Sequence, residues 1–284
     1  MTAMSDTATT EPAGSEPEVV VHADGLSKTF YDAGRGAVEA VRDVSFRAHR
    51  GEVFGLLGAN GAGKTTTMRM LSTVLTPSAG DARVAGVSVR EDARAVRRSL
   101  GFFSASTALY PRLTARETLE LFARINGFPS ERVAARVDAL IERFEIGPFA
   151  KARIETLSSG MKQRVSIART LAHDPPVLIF DEPTVGLDVL SALALQDVVR
   201  ELRAAGKTIL FSTHILSEAE KLCDRIAIIH AGEVLVDDTL DGLRARTGAH
   251  YLEDIFVHYV RDADEGARRA LEERTARELA ALEG

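Results

Sequence analysis

The sequence has little cysteine and no long apolar run. Cys223 is the single cysteine among 284 residues, which excludes an intramolecular disulfide and a zinc site built from cysteines. Such a composition is typical of proteins in a reducing compartment. No window contains the ~18 consecutive apolar residues that a membrane-spanning helix needs. We therefore expect a cytosolic chain that does not cross a membrane by itself.

Positive charge is also in deficit. The chain has 35 Lys and Arg against 41 Asp and Glu, for a formal net charge of -6. Proteins that bind nucleic acids carry a basic patch that neutralises phosphates, so nucleic acid is not an expected partner. Residues 1–18 have neither the basic start nor the apolar centre of a secretory signal. Their Ser, Thr, Pro and Glu content predicts a disordered tail.

Short apolar segments alternate with helical patterns along the chain. Residues 53–57, 177–180 and 208–211 are apolar runs too short for helices. Strands that are apolar throughout and alternate with helices predict an α/β fold, in which helices cover both faces of a mainly parallel sheet. Shorter strand patterns, at 19–21 and 44–46, come before them.

A region rich in Arg, Glu and Ala interrupts this alternation at about 91–160. Helical spacing at 115–125 and 131–144 predicts that the region is an inserted helical subdomain. We place the main domain at 19–245. The remaining residues, 246–284, form a C-terminal extension whose charged, Ala-rich sequence predicts a helix.

A glycine-rich segment joins the strand at 53–57 to a helical pattern. It consists of Gly58, Ala59, Asn60, Gly61, Ala62, Gly63, Lys64 and Thr65, followed by Thr66, and matches the phosphate-binding loop G-x-x-x-x-G-K-[ST] in full. Glycine lets successive backbone N–H groups point at a polyphosphate, and the helix adds the positive end of its dipole. We expect Lys64 to contact the β- and γ-phosphates and the Thr65 hydroxyl to bind Mg²⁺.

Two consecutive carboxylates follow the apolar run at 177–180. In open parallel sheets, ligands bind at the carboxyl ends of strands, which is where Asp181 and Glu182 lie. Asp181 is therefore expected to hold the hydrated Mg²⁺. Glu182 is expected to accept a proton from the attacking water.

Two segments near this acidic pair resemble motifs of the ATP-binding-cassette (ABC) family. LSSGM at 157–161 resembles the family signature LSGGQ, with Ser159 and Met161 as departures. DEPTVGLD at 181–188 resembles the acidic strand together with the D-loop, which ends here at Asp188.

Two more segments extend the resemblance to both sides. His214, just after the run at 208–211, takes the place of the family's switch histidine. LSKTFY at 26–31 resembles the segment in which an aromatic ring stacks on adenine. Phe30 is the best match there, and Tyr31 is the alternative.

The resemblance covers roughly residues 19–244. It implies a P-loop NTPase fold with an N-terminal antiparallel β subdomain and an inserted helical subdomain, and it implies hydrolysis of ATP with Mg²⁺. The chain has one copy of each motif, so a pair of ATPase subunits, most simply a homodimer, is expected around two ATP molecules. Ser159, the backbone N–H of Gly160, and Asp188 would then face the nucleotide across the pair. The partner that receives the work would be a separate transmembrane permease, contacted from the cytoplasmic face of the cell membrane.

The same motifs indicate a subfamily of ABC transporter subunits, and they leave two alternative functions open. GFFSAST at 101–107 and FSTHILSE at 211–218 most resemble ATPase subunits of sodium-extrusion and drug-efflux systems, which implies an exporter. One alternative is a soluble ABC ATPase without a permease, although the DNA-repair type needs a long coiled coil for which Lys64 and Asp181 are too close. The other is a regulatory protein that binds nucleotide without hydrolysing it, against which Glu182 argues.

One position departs from the family pattern. ABC ATPases usually have a glutamine where this chain has Ala105, and that glutamine reaches the magnesium ion and nearby water. Either Ser104 or Ser106 supplies an oxygen through a bridging water, or the contact is missing and the loop responds through its backbone alone. We favour the second account, because serine is shorter than glutamine by some two bonds.

Overall fold

The structure is a computed structural model that describes residues 18–32, 34, 36–104 and 107–282. The predicted disordered tail, apart from Glu18, lies outside the described residues. Ala105 and Ser106 lie outside them as well. Among the helices described, none is long and apolar enough to cross a membrane.

The strands of the described residues form two sheets. In chain order they are β1 (Val19–Asp32), β2 (Gly36–His49), β3 (Val53–Leu57), β4 (Ala79–Val84), β5 (Val87–Ser88), β6 (Leu100–Ser104), β7 (Val177–Asp181), β8 (Thr208–Thr213), β9 (Arg225–His230) and β10 (Glu233–Thr239). The larger sheet has the order β10-β9-β3-β8-β7-β6. It is parallel except for β10, which pairs antiparallel with β9. The smaller sheet, β2-β1-β4-β5, is antiparallel. The predicted α/β fold, with a mainly parallel core and an N-terminal antiparallel part, is confirmed.

Helices pack around these sheets. They are α1 (Lys64–Leu71), α2 (Ala93–Ser99), α3 (Ala115–Ile125), α4 (Val133–Arg143), α5 (Ser159–Thr170), α6 (Val189–Ala204), α7 (Leu216–Leu222), α8 (Leu240–Thr247) and α9 (Leu252–Leu282). The start of α3 is fixed by a capping box, in which Thr114 and Glu117 satisfy each other's backbone N–H groups. This helix has the bounds that its apolar spacing predicts.

Three strands differ from the sequence prediction. The strand β6 lies inside the segment that the sequence predicts to be helical, because Leu100, Phe102 and Phe103 pair with β7 at the edge of the core sheet. Each of β1 and β2 is a 14-residue strand rather than a short one. The last helix, α9, begins at Leu252, and Leu252 and Ile255 are fully buried in the main hydrophobic core.

The register of the core strands places the candidate site. Every residue of β3, β7 and β8 is buried. Asp181 at the end of β7 is paired with Ser212 of β8 and with Ser104 of β6. The polar residues that end these strands therefore lie side by side at one edge of an otherwise apolar sheet, next to the loop that follows β3.

The end of α7 is packed directly onto β3. A methyl group on Gly55 would lie 2.6 Å from the Cys223 Sγ, so the thiol occupies the space that a side chain on β3 would need. Cys223 is buried, and burial raises the pKa of its thiol. The neighbouring Asp224 accepts a hydrogen bond from the Val53 N–H at 2.8 Å. Glycine in the strand thus permits close contact between the helix end and the sheet.

Candidate functional site

The loop at 58–63 joins β3 to α1, and its two ends, at Gly58 and Gly63, have little room for side chains. A methyl group on Gly58 would lie 2.3 Å from the Ile229 carbonyl oxygen. Gly63 has a φ of 111° and is the N-cap of α1, where it offers no side-chain hydrogen bond. The N–H groups of the first helical turn are therefore left for another acceptor, which is the arrangement expected of an anion site.

Lys64 is buried beneath this loop. Its ammonium donates to the Gly58 carbonyl at 2.7 Å and to the Ala59 carbonyl at 3.1 Å. The same ammonium forms an ion pair with Glu182 Oε1 at 2.9 Å, and the two side chains are 4% and 18% exposed. The lysine is thus held at the loop by two carbonyls and one carboxylate.

Three hydroxyl groups surround the buried carboxylate of Asp181. Thr65 Oγ1 donates to Oδ1 at 3.0 Å, and Ser212 Oγ donates to the same oxygen at 2.7 Å. Ser104 Oγ lies 3.3 Å from Oδ2. These three contacts fix the side chain of Asp181 in place at the end of β7.

Glu182 contacts His214 across the ends of two neighbouring strands. His214 Nδ1 lies 2.6 Å from Glu182 Oε2. Because a carboxylate only accepts hydrogen bonds, Nδ1 carries the proton in this contact. The backbone of Glu182 has a φ of 48°, which is unusual for a residue with a side chain. Its N–H is held by the hydroxyl of Ser212 at 3.0 Å.

These contacts bring together five of the residues predicted from the sequence. Lys64 and His214 meet at Glu182, while Thr65 meets Asp181. Carboxylate and hydroxyl oxygens are ligands that Mg²⁺ accepts, and Mg²⁺ commonly uses one or two protein oxygens together with substrate phosphates. The pair Thr65 and Asp181 fits this requirement. Within the described part of the chain, no cluster of three or more His, Cys, Asp or Glu residues could hold a metal by itself.

The residues of the signature and the D-loop lie around a neighbouring cavity. Ser159, Gly160 and Asp188 line a cavity of about 640 Å³, and Ser104 lines it too. Asp188 is the N-cap of α6: its carboxylate accepts from the Ser191 N–H at 3.0 Å and from the Ser191 hydroxyl at 2.6 Å. These bonds lower the pKa of Asp188. The sequence did not predict this capping role. The contact of Asp188 with nucleotide stays a prediction.

Phe30 lies on β1, in the smaller sheet. Its ring is 39% exposed, and the Lys28 ammonium lies 5.5 Å from the ring centroid. Tyr31 is more exposed, at 86%. Both rings are accessible, so the geometry does not separate the two candidates for adenine stacking.

One functional position was not predicted from the sequence. Ser212 contacts both acidic residues, and a hydroxyl at the end of an apolar strand was the available signal. Ser104, which the sequence offered as a possible substitute for the missing glutamine, joins the Asp181 network, and the favoured account, in which the magnesium contact is missing, stays a prediction. The other residues of that argument, Ala105 and Ser106, lie outside the described residues.

Comparisons with known proteins agree with this geometry. Residues 41–185 match the family described as ABC transporter. Over 232 residues the chain is 41% identical to the ABC transporter ATP-binding protein NatA of Bacillus subtilis, which covers 81% of this chain and 94% of NatA. Over 236 residues it is 39% identical to the daunorubicin resistance ATP-binding protein DrrA3 of Streptomyces coeruleorubidus, which covers 83% and 73%.

A solved structure shows the same architecture. It is the dimeric structure of a post-hydrolysis state of the ATP-binding cassette MJ0796 bound to ADP and Pi. Its TM-score is 0.70 at 27% identity, over 78% of this chain and 98% of that one. With its phosphate loop, its acidic strand end and these relatives, the chain belongs to the ABC transporter family, as an ATP-binding subunit and an ATPase.

Proposed function

We propose that the chain is the ATPase subunit of an exporter, that two copies work together around two ATP molecules, and that they drive a separate permease from the cytoplasmic face of the membrane. One observation supports the hydrolytic part most strongly. Lys64, Glu182 and His214 form one continuous set of contacts beside the pair Thr65 and Asp181.

Glu182 is the proposed general base. Its Oε2 accepts a hydrogen bond from His214, which orients the carboxylate toward the loop that binds the phosphates. The carboxylate takes a proton from the attacking water. The Lys64 ammonium leaves Glu182 and moves to the β- and γ-phosphates when ATP binds. Thr65 and Asp181 would hold Mg²⁺, and the bound ion would supply positive charge that offsets the negative charge of the phosphates.

The residues that the motifs propose for nucleotide binding form two groups, one for the chain's own nucleotide and one for the nucleotide of a second copy. The ring of Phe30 stacks on adenine. The phosphates are bound by residues of the loop and first turn, namely Gly58, Ala59, Asn60, Gly61, Ala62, Gly63, Lys64, Thr65 and Thr66. Ser159, Gly160 and Asp188 are exposed and would close over the nucleotide of the second copy.

Two relatives support the pairing and the direction of transport. MJ0796 is dimeric with ADP and Pi bound, which is the arrangement proposed for two copies of this chain. DrrA3 is named for resistance to daunorubicin, and removal of a compound from the cell is a direct route to resistance. The exposed signature and D-loop residues would contact a nucleotide if a second copy supplied it.

The substitution Glu182→Gln tests the hydrolytic proposal. We expect ATP to bind, turnover to fall by about a hundredfold or more because the proton acceptor is lost, and a dimer to accumulate with ATP. ATPase assays and light scattering with ATP or ADP measure these effects. Turnover at the wild-type rate would refute the role of Glu182. Copurification with a membrane protein tests the permease, and recovery of only the soluble chain from membranes would favour an ABC ATPase without one.

A further inference from the structure

Glu218 is a buried carboxylate on the first turn of α7. Only 6% of its surface is exposed, and its side-chain partners are hydroxyl groups rather than a cation. A carboxylate is costly to bury unless it accepts good hydrogen bonds. An apolar residue would fill the same space at lower cost, so the carboxylate needs an explanation.

Both hydroxyl donors reach the same oxygen atom from different loops. Thr184 Oγ1 and Thr213 Oγ1 each donate to Glu218 Oε2 at 3.0 Å. Thr184 follows Glu182 by two residues, and Thr213 directly precedes His214. One carboxylate oxygen therefore joins the segment that carries the proposed base to the segment that carries its histidine.

The turn at His214 is held at both ends by this group of contacts. Thr213 Oγ1 also accepts a hydrogen bond from the Ile215 N–H at 2.9 Å, which closes a tight turn around His214. The N–H of Glu218 donates to the Ile215 carbonyl at 3.1 Å. The position of the imidazole relative to the sheet thus depends on Thr213 and Glu218.

Glu182 needs the same kind of support. Its φ of 48° is a strained conformation that persists only when neighbouring groups impose it. Thr184 is 6% exposed and is fixed to Glu218 on one side of Glu182. On the other side, the N–H of Glu182 is bound to Ser212.

We propose that Glu218 is a positioning residue for ATP hydrolysis, acting through Thr184 and Thr213 to keep Glu182 and His214 in hydrogen-bond contact. The inference rests on the roles proposed above for Glu182 and His214. Displacement of a reacting group by about 1 Å costs about a hundredfold in rate. Loss of Glu218 should accordingly reduce kcat and leave nucleotide affinity unchanged.

Because both hydroxyl groups donate to one oxygen, two substitutions of Glu218 can separate the effect of the hydrogen bonds from the effect of the charge. In Glu218→Gln, an amide oxygen at the place of Oε2 accepts both hydroxyl hydrogens, but the negative charge is gone. In Glu218→Ala, both hydrogen bonds are lost. Positioning by hydrogen bonds predicts that the glutamine variant retains activity and the alanine variant does not.

The experiment compares kcat, KM for ATP and equilibrium nucleotide affinity in these variants. We expect Glu218→Ala to lower kcat by roughly ten- to a hundredfold, with KM and affinity within about threefold of wild type. Glu218→Gln should keep kcat within about fivefold. As a single substitution, Thr184→Val should lower kcat. In the Glu218→Ala background it should cause no further loss, because both substitutions act through one contact. The matched control, Glu220→Ala, removes a carboxylate of the same helix that pairs with Arg244 and should match wild type.

Several results would overturn the proposal. Wild-type kcat in Glu218→Ala would show that the contacts are not needed. A glutamine variant as slow as the alanine variant would assign the effect to charge, and additive losses with Thr184→Val would show separate effects. Loss of nucleotide affinity together with kcat would indicate a purely structural role. If Glu182→Gln is inactive while Glu218→Ala is not, the inference alone fails, whereas an active Glu182→Gln refutes the proposed base itself.

Discussion

The ion pair between Lys64 and Glu182 predicts a specific effect on nucleotide affinity. In the proposed mechanism the Lys64 ammonium leaves Glu182 to reach the phosphates, so ATP would compete with this carboxylate for the same cation. At 2.9 Å, the Coulomb energy is about 6 kcal/mol with an effective dielectric constant of about 20. Desolvation and the two remaining carbonyl contacts of Lys64 offset most of it. We estimate a net competition of about 1–2 kcal/mol.

Removing the charge should therefore strengthen binding. Glu182→Gln is expected to bind a non-hydrolysable ATP analogue about 5- to 30-fold more tightly than wild type, since 1.4 kcal/mol is a factor of ten. The titration is performed without magnesium and at protein concentrations where light scattering shows a monomer, so that dimer formation does not contribute. Asp197→Asn, which makes the same change in net charge on the exposed face of α6, is the control and should match wild type. Equal or weaker binding by Glu182→Gln would refute the competition.

Two further predictions follow from buried contacts. Gly58→Ala places a methyl group 2.3 Å from the Ile229 carbonyl oxygen, so the loop must shift. We expect at least tenfold weaker nucleotide binding in equilibrium titrations and about 1–3 kcal/mol lower stability in urea denaturation. Burial lowers the pKa of the His173 imidazole from 6.5 to about 4, so between these two pH values the unfolded chain binds more protons than the folded chain. The free energy of unfolding should therefore decrease by about 2–3 kcal/mol as the pH is lowered from 6.5 to 4. In His173→Gln, the free energy of unfolding should depend less on pH in this range. Urea denaturation at each pH measures it, and an equal pH dependence in the two proteins would contradict the assignment.

The fold class and the phosphate-binding loop could be predicted because their signals are local. Gly58, Lys64 and Thr65 are consecutive parts of one motif, and apolar runs mark the buried strands without any knowledge of their partners. The lengths of β1 and β2 could not be predicted in this way. Much of β2 is exposed and its pairing with β1 has several register shifts, which removes the alternation that reveals a half-buried strand.

The supporting contacts of the site could not be predicted, because they depend on strand order. Ser104, Asp181 and Ser212 meet only because β6 and β8 flank β7 in register, although Ser104 and Ser212 lie 77 and 31 positions from Asp181 in the sequence. The link from Glu218 to Thr184 spans 34 positions. The short apolar run of β6 was available as a signal, but the arginine-rich sequence around it favoured a helix.

The contact between Cys223 and Gly55 gives this chain a natural reporter of local opening. A buried thiol with a raised pKa forms little thiolate and is therefore protected from alkylating reagents while α7 is in place. Labelling requires that the end of this helix separate from β3, so the labelling rate measures how often that separation occurs. Because the sequence has one cysteine, the signal has one source. Thiol labelling of the wild-type chain can thus follow the helix that carries Glu218 through each nucleotide state.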